Sequence, residues 1–309
     1  MKKVIIAILV AVLVLVLITP AALAKTDKDK PLPATDIELV KKVTLQSKPG
    51  HGHGGGGRGK PGRQAATGVL GVNISGDRYA IIVGISDYPG TANDLQYSDD
   101  DALDMYDALT TLYGYDSSNI HLALNMSATY AAIEAAVNDI KSQEVAGDEV
   151  VFFFSGHGAR GKADDGDKEK IDEAIVVHNG SNLVYIWDGW LNDWFDGFNT
   201  TRIIFIFDSC LAGGMTDLEA PGRVINMACS ESGLSYESSS WGGGHGQFTY
   251  YFVNQGMLGG QADKYDHDED IILSEATDVV VEEAFDYAKA NCRRQKPTIS
   301  DSFDNDLLL

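Results

Sequence analysis

Apolar residues fall along this chain in nearly continuous runs rather than in alternation. RYAIIVG (residues 78–84), IHLAL (120–124), VVFFF (150–154), IIFIF (203–207) and RVINM (223–227) are short, rich in Val, Ile and Phe, and bounded by polar or small residues. Such runs suit strands buried on both faces of a largely parallel sheet. Leu, Met and Tyr at helical spacing predict a helix over residues 95–112, and residues 128–141, 246–257 and 274–292 read as three more. DEAIVV (172–177) predicts a short strand or hairpin arm after a charged loop at 160–170, and Trp187, Trp190 and Trp194 are spaced to pack from one helix face. Strands alternating with helices make this an α/β fold whose mostly parallel sheet is covered on both faces.

Two of the runs stop at chemistry. VVFFF is followed by SGHG, which carries His157, and IIFIF by DSC, which carries Cys210. Ligands of open α/β sheets bind beyond the carboxyl ends of the strands, so a nucleophile and a base are expected at one sheet edge. An imidazole that accepts a thiol proton leaves a thiolate, and the pair implies acyl transfer. The plainer reading is a packed cysteine and a structural histidine; small flanking residues that admit a substrate favour the first.

Lys2 and Lys3, the apolar residues 4–18 and the series Ala22, Leu23, Ala24 predict a secretory signal over residues 1–24, with retention as an N-terminal membrane anchor as the alternative. Residues 25–67 are polar, and GHGHGGGGRGKPG at 50–62 predicts a flexible Gly/His-rich propeptide or linker without a fold. Residues 68–309 are left for one α/β domain. Formal net charge is −21, although residues 25–63 hold nine basic against four acidic side chains, so the acidity lies in the folded part. Nucleic acid is excluded as a partner; divalent cations, a cationic substrate or a salty habitat suit the charge. Three cysteines in an exported chain leave at least one free thiol, and Cys210 is the natural candidate, with Cys229 and Cys292 paired or packed.

RYAIIVGISDY, SGHG, DSC, GQFTYYF and the terminal KPTISDSFDNDLLL together resemble the caspase-like peptidases, in particular their metacaspase-like prokaryotic members. The resemblance spans residues 78–309 and implies a caspase-like three-layer α/β/α sandwich. It also implies a cysteine endopeptidase in which Cys210 attacks, His157 manages the proton, and the backbone N–H groups of Gly158 and Cys210 form the oxyanion hole. DSCLAG replaces the local caspase signature around the nucleophile, which speaks against specificity for aspartate. In Arg/Lys-specific members the acid two before the nucleophile and one in the first helix line the pocket, which points to Asp208 and Asp101, with Ser155 as a polar liner. The helix dipole is the plainer account of Asp101.

For calcium, the matching positions are Asp172, Asp188 and Asp217, although Gly189 stands where relatives are often acidic. A second acidic loop with Asp266, Asp268 and Asp270 matches an EF-hand only in a degenerate way and reads as solvated. No organic cofactor is implied. Basic residues at Arg58, Lys60, Arg63, Arg160, Lys162, Lys168 and Lys170 suggest self-processing in flexible segments. The expectation is a secreted or extracytoplasmic monomer acting on polypeptide substrates with basic residues. Its competitor is a catalytically silent, acidic, calcium-binding interaction module; a transpeptidase would differ only in the acceptor of the acyl group.

Overall fold

The computed structural model describes residues 34–46, 64–166, 170–268, 272 and 274–309. The expected signal, the Gly/His tract with Arg58, Lys60 and Arg63, and Lys168, Glu269 and Asp270 lie outside the described residues. All described residues belong to one unit, Pro33–Leu309. No described helix is long and apolar enough to cross a membrane.

In chain order the elements are β1 (Thr35–Val40), β2 (Val43–Thr44), β3 (Arg78–Gly84), α1 (Ser98–Thr111), β4 (Ile120–Leu124), α2 (Tyr130–Gln143), β5 (Glu149–Ser155), β6 (Gly158–Lys162), β7 (Asp172–His178) and β8 (Leu183–Trp187). There follow α3 (Asp188–Phe195), β9 (Ile203–Asp208), β10 (Arg223–Met227), β11 (Tyr236–Ser238), β12 (His245–Gly246), α4 (Gln247–Thr249) running into a π-helix (Tyr250–Leu258), α5 (Val281–Asn291) and β13 (Thr298–Asp301).

The five apolar runs, with TISD of β13 added at one edge, form the central six-stranded sheet, in the order β13-β10-β9-β5-β3-β4. Every neighbouring pair is parallel except β10 with the edge strand β13. Because successive strand residues point to opposite faces, each run supplies two cores. Ile81, Val83, Phe152, Phe154, Phe205 and Phe207 pack under α2 and α3, while Ile82, Val151, Phe153, Ile204 and Ile206 pack under α1, α5 and the π-helix. The three-layer sandwich is therefore as expected. Each fully buried Phe or Ile contributes about 1.5–3 kcal/mol relative to exposure. The parallel register of β5 and β9 sets Ser155 directly beside Asp208, at the carboxyl end of the sheet.

Four local readings change. Residues 25–67 were expected to lack a fold, but TDIELV forms β1 and pairs antiparallel with β6, while β2 pairs with β11. At its other end Ala65 and Ala66 donate to the Asp286 carboxylate, and Thr67 to Asp306. The charged loop at 160–170 begins as β6, clamped between β1 and β7. Trp187 ends β8 rather than sharing a helix with Trp190 and Trp194. The last helix starts only at Val281, where the Glu283 carboxylate turns back to accept the Val280 N–H at 3.2 Å and caps it.

Candidate active site

The nucleophile candidate sits just past β9. Cys210 is 1% exposed, and the next residue, Leu211, is held in the left-handed region at φ 62°, which turns the chain sharply away from the strand. Its Sγ accepts the Ser235 N–H at 3.2 Å and donates to the Lys41 carbonyl at 3.3 Å. Burial pushes the thiol up to about 11, with Asp208 adding to the rise against the Ser235 N–H and Lys42, so it is protonated at neutral pH. Cys229 and Cys292 are also free thiols, which removes the disulfide option.

His157 leaves β5 two residues after Ser155. Its Nε2 faces the Asn93 carbonyl at 2.8 Å, a contact that needs a proton on Nε2, and the lone pair of Nδ1 accepts the Lys42 N–H at 3.0 Å. Tyr88 stacks on the imidazole with centroids 4.9 Å apart, and its hydroxyl accepts the His157 N–H while donating to the Val176 carbonyl. Burial lowers the imidazole to about 4, so both partners of the candidate dyad are neutral. Gly158 lies so close to Cys210 that a Cβ there would meet the Cys210 carbonyl at 2.0 Å.

The acids expected to line a pocket do converge. Asp208 accepts the Ser235 hydroxyl at 2.5 Å and both the N–H and hydroxyl of Thr249, at 3.0 and 2.8 Å. Asp101 accepts the Ser155 hydroxyl at 2.7 Å and the Gly246 N–H at 2.9 Å, with His245 Nδ1 3.5 Å away. Of the three aspartates that open α1, Asp99 is tied to Ser86 and Asn125, and Asp101 alone is fully buried and turned to Asp208. Gly246 closes the pocket: a Cβ there would lie 2.3 Å from Asp208 Oδ2 and 2.8 Å from Asp101 Oδ2.

Sequence reasoning missed the occupant. The Lys42 ammonium lies 3.1 Å from Asp208, 3.3 Å from Asp101 and 2.9 Å from the Ser155 hydroxyl, with its side chain wholly enclosed. Burial alone would lower the amine, but Asp208, Asp101 and Glu237 overcome it and hold the ammonium charged well above the ordinary lysine range. Glu237 was also missed. It is fully buried and accepts from the Thr44 hydroxyl and from the N–H groups of Gln96 and Tyr97. These contacts span 59 to 193 residues, so no local pattern announces them.

The aspartates matched to calcium divide. Asp172 is buried in β7 and accepts the Ala163 N–H at 2.7 Å. Asp188, at the first position of α3, is pushed up to about 9 by burial and by the neighbouring Asp165 and Asp217. The Asp165 carboxyl carbon would be only 2.9 Å from a Cβ on Gly189, so this loop acid occupies the room that an acidic side chain at 189 would need. Among the described residues no group of three or more His, Cys, Asp or Glu side chains is gathered so as to hold a metal ion.

The caspase domain family model matches residues 77–308. Metacaspase-4 of Arabidopsis thaliana is 31% identical over 171 residues, covering 52% of this chain and 40% of that protein. Metacaspase-9 of the same plant is 32% identical over 152 residues (46% and 45%), and metacaspase-1 of Schizosaccharomyces pombe 29% over 152 residues (46% and 36%). The chain thus spans less than half the length of these curated relatives. A solved structure from Geobacter sulfurreducens shares the fold, with a TM-score of 0.52 at 15% identity, over 73% of this chain and 93% of the other.

Proposed function

The chain belongs to the caspase domain family, and from that premise we propose that it is a cysteine endopeptidase cutting polypeptides after Arg or Lys. One observation carries the specificity: a primary ammonium, that of Lys42, already lies between Asp101, Asp208 and Ser155. It stands in for the basic side chain of a substrate, and a guanidinium would meet the same paired carboxylates.

In the proposed reaction the Cys210 sulfur attacks the scissile carbonyl carbon while its proton passes to Nδ1 of His157. The carbon–nitrogen bond then breaks, the amine takes that proton and leaves, and water repeats the sequence on the thioester. The Asn93 carbonyl, on Nε2–H, keeps the Nδ1 lone pair available for this role. The N–H groups of Gly158 and Cys210 would stabilise the oxyanion, and the glycine supports this because only a residue without Cβ lets the two segments approach.

Calcium is part of the proposal as a structural ion. Asp188, Asp172 and Asp217, joined by Asp165, are not gathered as a ligand set in this structure; they would have to close around the ion, which would relieve the repulsion that raises Asp188. No catalytic step runs through it. Self-processing is proposed at Arg58, Lys60 or Arg63. Arg160 and Lys162 drop out, because β6 is hydrogen-bonded on both sides and their side chains pair with Glu38 and Asp36. The reading retains export by residues 1–24 and monomeric action.

Because Lys42 fills the pocket, the test uses Lys42→Ala. Peptide reporters ending in Arg, Lys, Asp or Asn are incubated with this variant and with Lys42→Ala/Cys210→Ala, in calcium and in chelator. Turnover of Arg and Lys reporters that vanishes with the cysteine is expected. Turnover of the Asp or Asn reporters would overturn the specificity, and a folded protein inert in every arm would favour a silent binding module.

A further inference from the structure

A lysine in a lysine pocket invites the idea that residues 41–45 are a substrate awaiting cleavage. The direction of the chain argues otherwise. To cut after a basic residue, the peptide bond on its carboxyl side must lie between thiol and base while its side chain fills the pocket. Here the peptide unit at the dyad is the one on the amino side of Lys42: its N–H donates to His157 Nδ1 at 3.0 Å and its oxygen, that of Lys41, accepts from Cys210 Sγ at 3.3 Å. The acyl side of that unit is Lys41, whose own ammonium lies outside the pocket on the Ala92 carbonyl at 2.6 Å.

Nor is this unit presented for attack. Sulfur meets the carbonyl through its oxygen, as a hydrogen-bond donor, and the lone pair the base needs is already taken by an amide N–H. The bond on the other side of Lys42 leads away from the dyad. Val43 N–H donates to the Ser235 carbonyl, Leu45 N–H to the Glu237 carbonyl, and the Thr44 hydroxyl to Glu237, as β2 runs parallel to β11.

We propose that residues 41–45 are a resident inhibitor: a basic plug that enters the substrate pocket in the direction that exposes neither of its own bonds, so that the protein is latent until the plug leaves. The plug parts the dyad, with one hydrogen bond to each member, and β1 tethers it upstream through its pairing with β6. Tethering in the same chain gives it an effective concentration no free peptide matches. The inference rests on the reading of the acid pocket as the substrate's.

The test is alkylation of Cys210 by iodoacetamide at pH 7.5, followed by mass spectrometry on the full chain, with Cys229 as the buried internal reference. Lys42→Glu places a third carboxylate against Asp101 and Asp208 and should expel the plug, raising the Cys210 rate at least tenfold; Lys42→Arg keeps a cation in place and should leave it slow. Lys42→Ala gives the same reading without added charge should Lys42→Glu not fold. A folded Lys42→Ala with an unchanged alkylation rate overturns the proposal, as does finding the wild-type chain cut by itself between 41 and 42 or between 42 and 43. A faster alkylation in a variant that cleaves no Arg or Lys reporter upholds the plug and overturns the specificity instead.

Discussion

Asp101 and Asp188 are both about 1% exposed or less, yet burial has opposite consequences for them. Burial raises the pKa of each. At Asp101 the Lys42 ammonium, His245 and the Ser155 hydroxyl more than offset it, and the carboxylate ends below its ordinary range. At Asp188 the next neighbours are Asp165 and Asp217, which add to the rise, and the carboxyl ends at about 9. A buried acid is thus defined by what shares its cavity rather than by depth. One cluster has recruited a cation from its own chain; the other sets acid beside acid.

Four experiments sharpen the contrast, beginning with the largest effect. Asp208→Asn, made in the Lys42→Ala background, should lower kcat/KM for Arg and Lys reporters by about 10³, roughly 4 kcal/mol of lost charge pairing, with little change in melting temperature. Retained activity would mean that Asp101 alone reads the substrate.

Acid should act next. His157 sits below its unfolded value, so the unfolded chain binds the extra proton. The stability this residue contributes is complete above about pH 6.5 and is lost as pH falls toward about 4, up to roughly 3 kcal/mol. Urea titrations at pH 7 and pH 4.5 check this, and Lys42→Glu should shrink the difference by reopening the site to water.

Gly246→Ala should cost about 1–3 kcal/mol in transition-state binding, because its new methyl would overlap Asp208 and Asp101. It is read as a 10- to 100-fold loss in kcat/KM in the Lys42→Ala background, and a neutral outcome would show that the pocket wall yields. The smallest effect belongs to the other cluster. In chelator, Asp188→Asn should raise the melting temperature by about 2–4 °C, near 1 kcal/mol, by removing one of the facing carboxyls. In calcium the wild type should gain stability and the variant should not; equal gains would move the ion elsewhere.

What the sequence made legible follows from range. Five of the six strands of the central sheet were readable because they are nearly continuous apolar runs, whereas the polar edge strand β13, TISD, was not; the six residues from SGHG, DSC and the α1 aspartates were readable because they end or follow those strands or open that helix. The plug was not. TDIELV does alternate, but it is six residues beside a long Gly/His tract, and Lys42 is one lysine among several in a basic segment until residues more than fifty positions away close around it. Glu237 and Gly246 were hidden for the same reason. The helix expected from residue 274 failed locally, since Ser274 sits at φ 113°, which no helix accommodates.

The pairing of β1 with β6 has a consequence for the protein's life in a crowded solution. β1 is the outermost strand of the β1-β6-β7-β8 sheet, so losing the segment that bears the plug would uncover the backbone donors and acceptors of β6. Such an edge is a template on which another chain can add a strand and begin to aggregate. Here the newly bare strand would be GARGK, five residues with two glycines, Arg160 and Lys162. Short, rich in glycine and doubly charged, it is a poor seed, so the same removal that frees the dyad would expose an edge already defended against self-association.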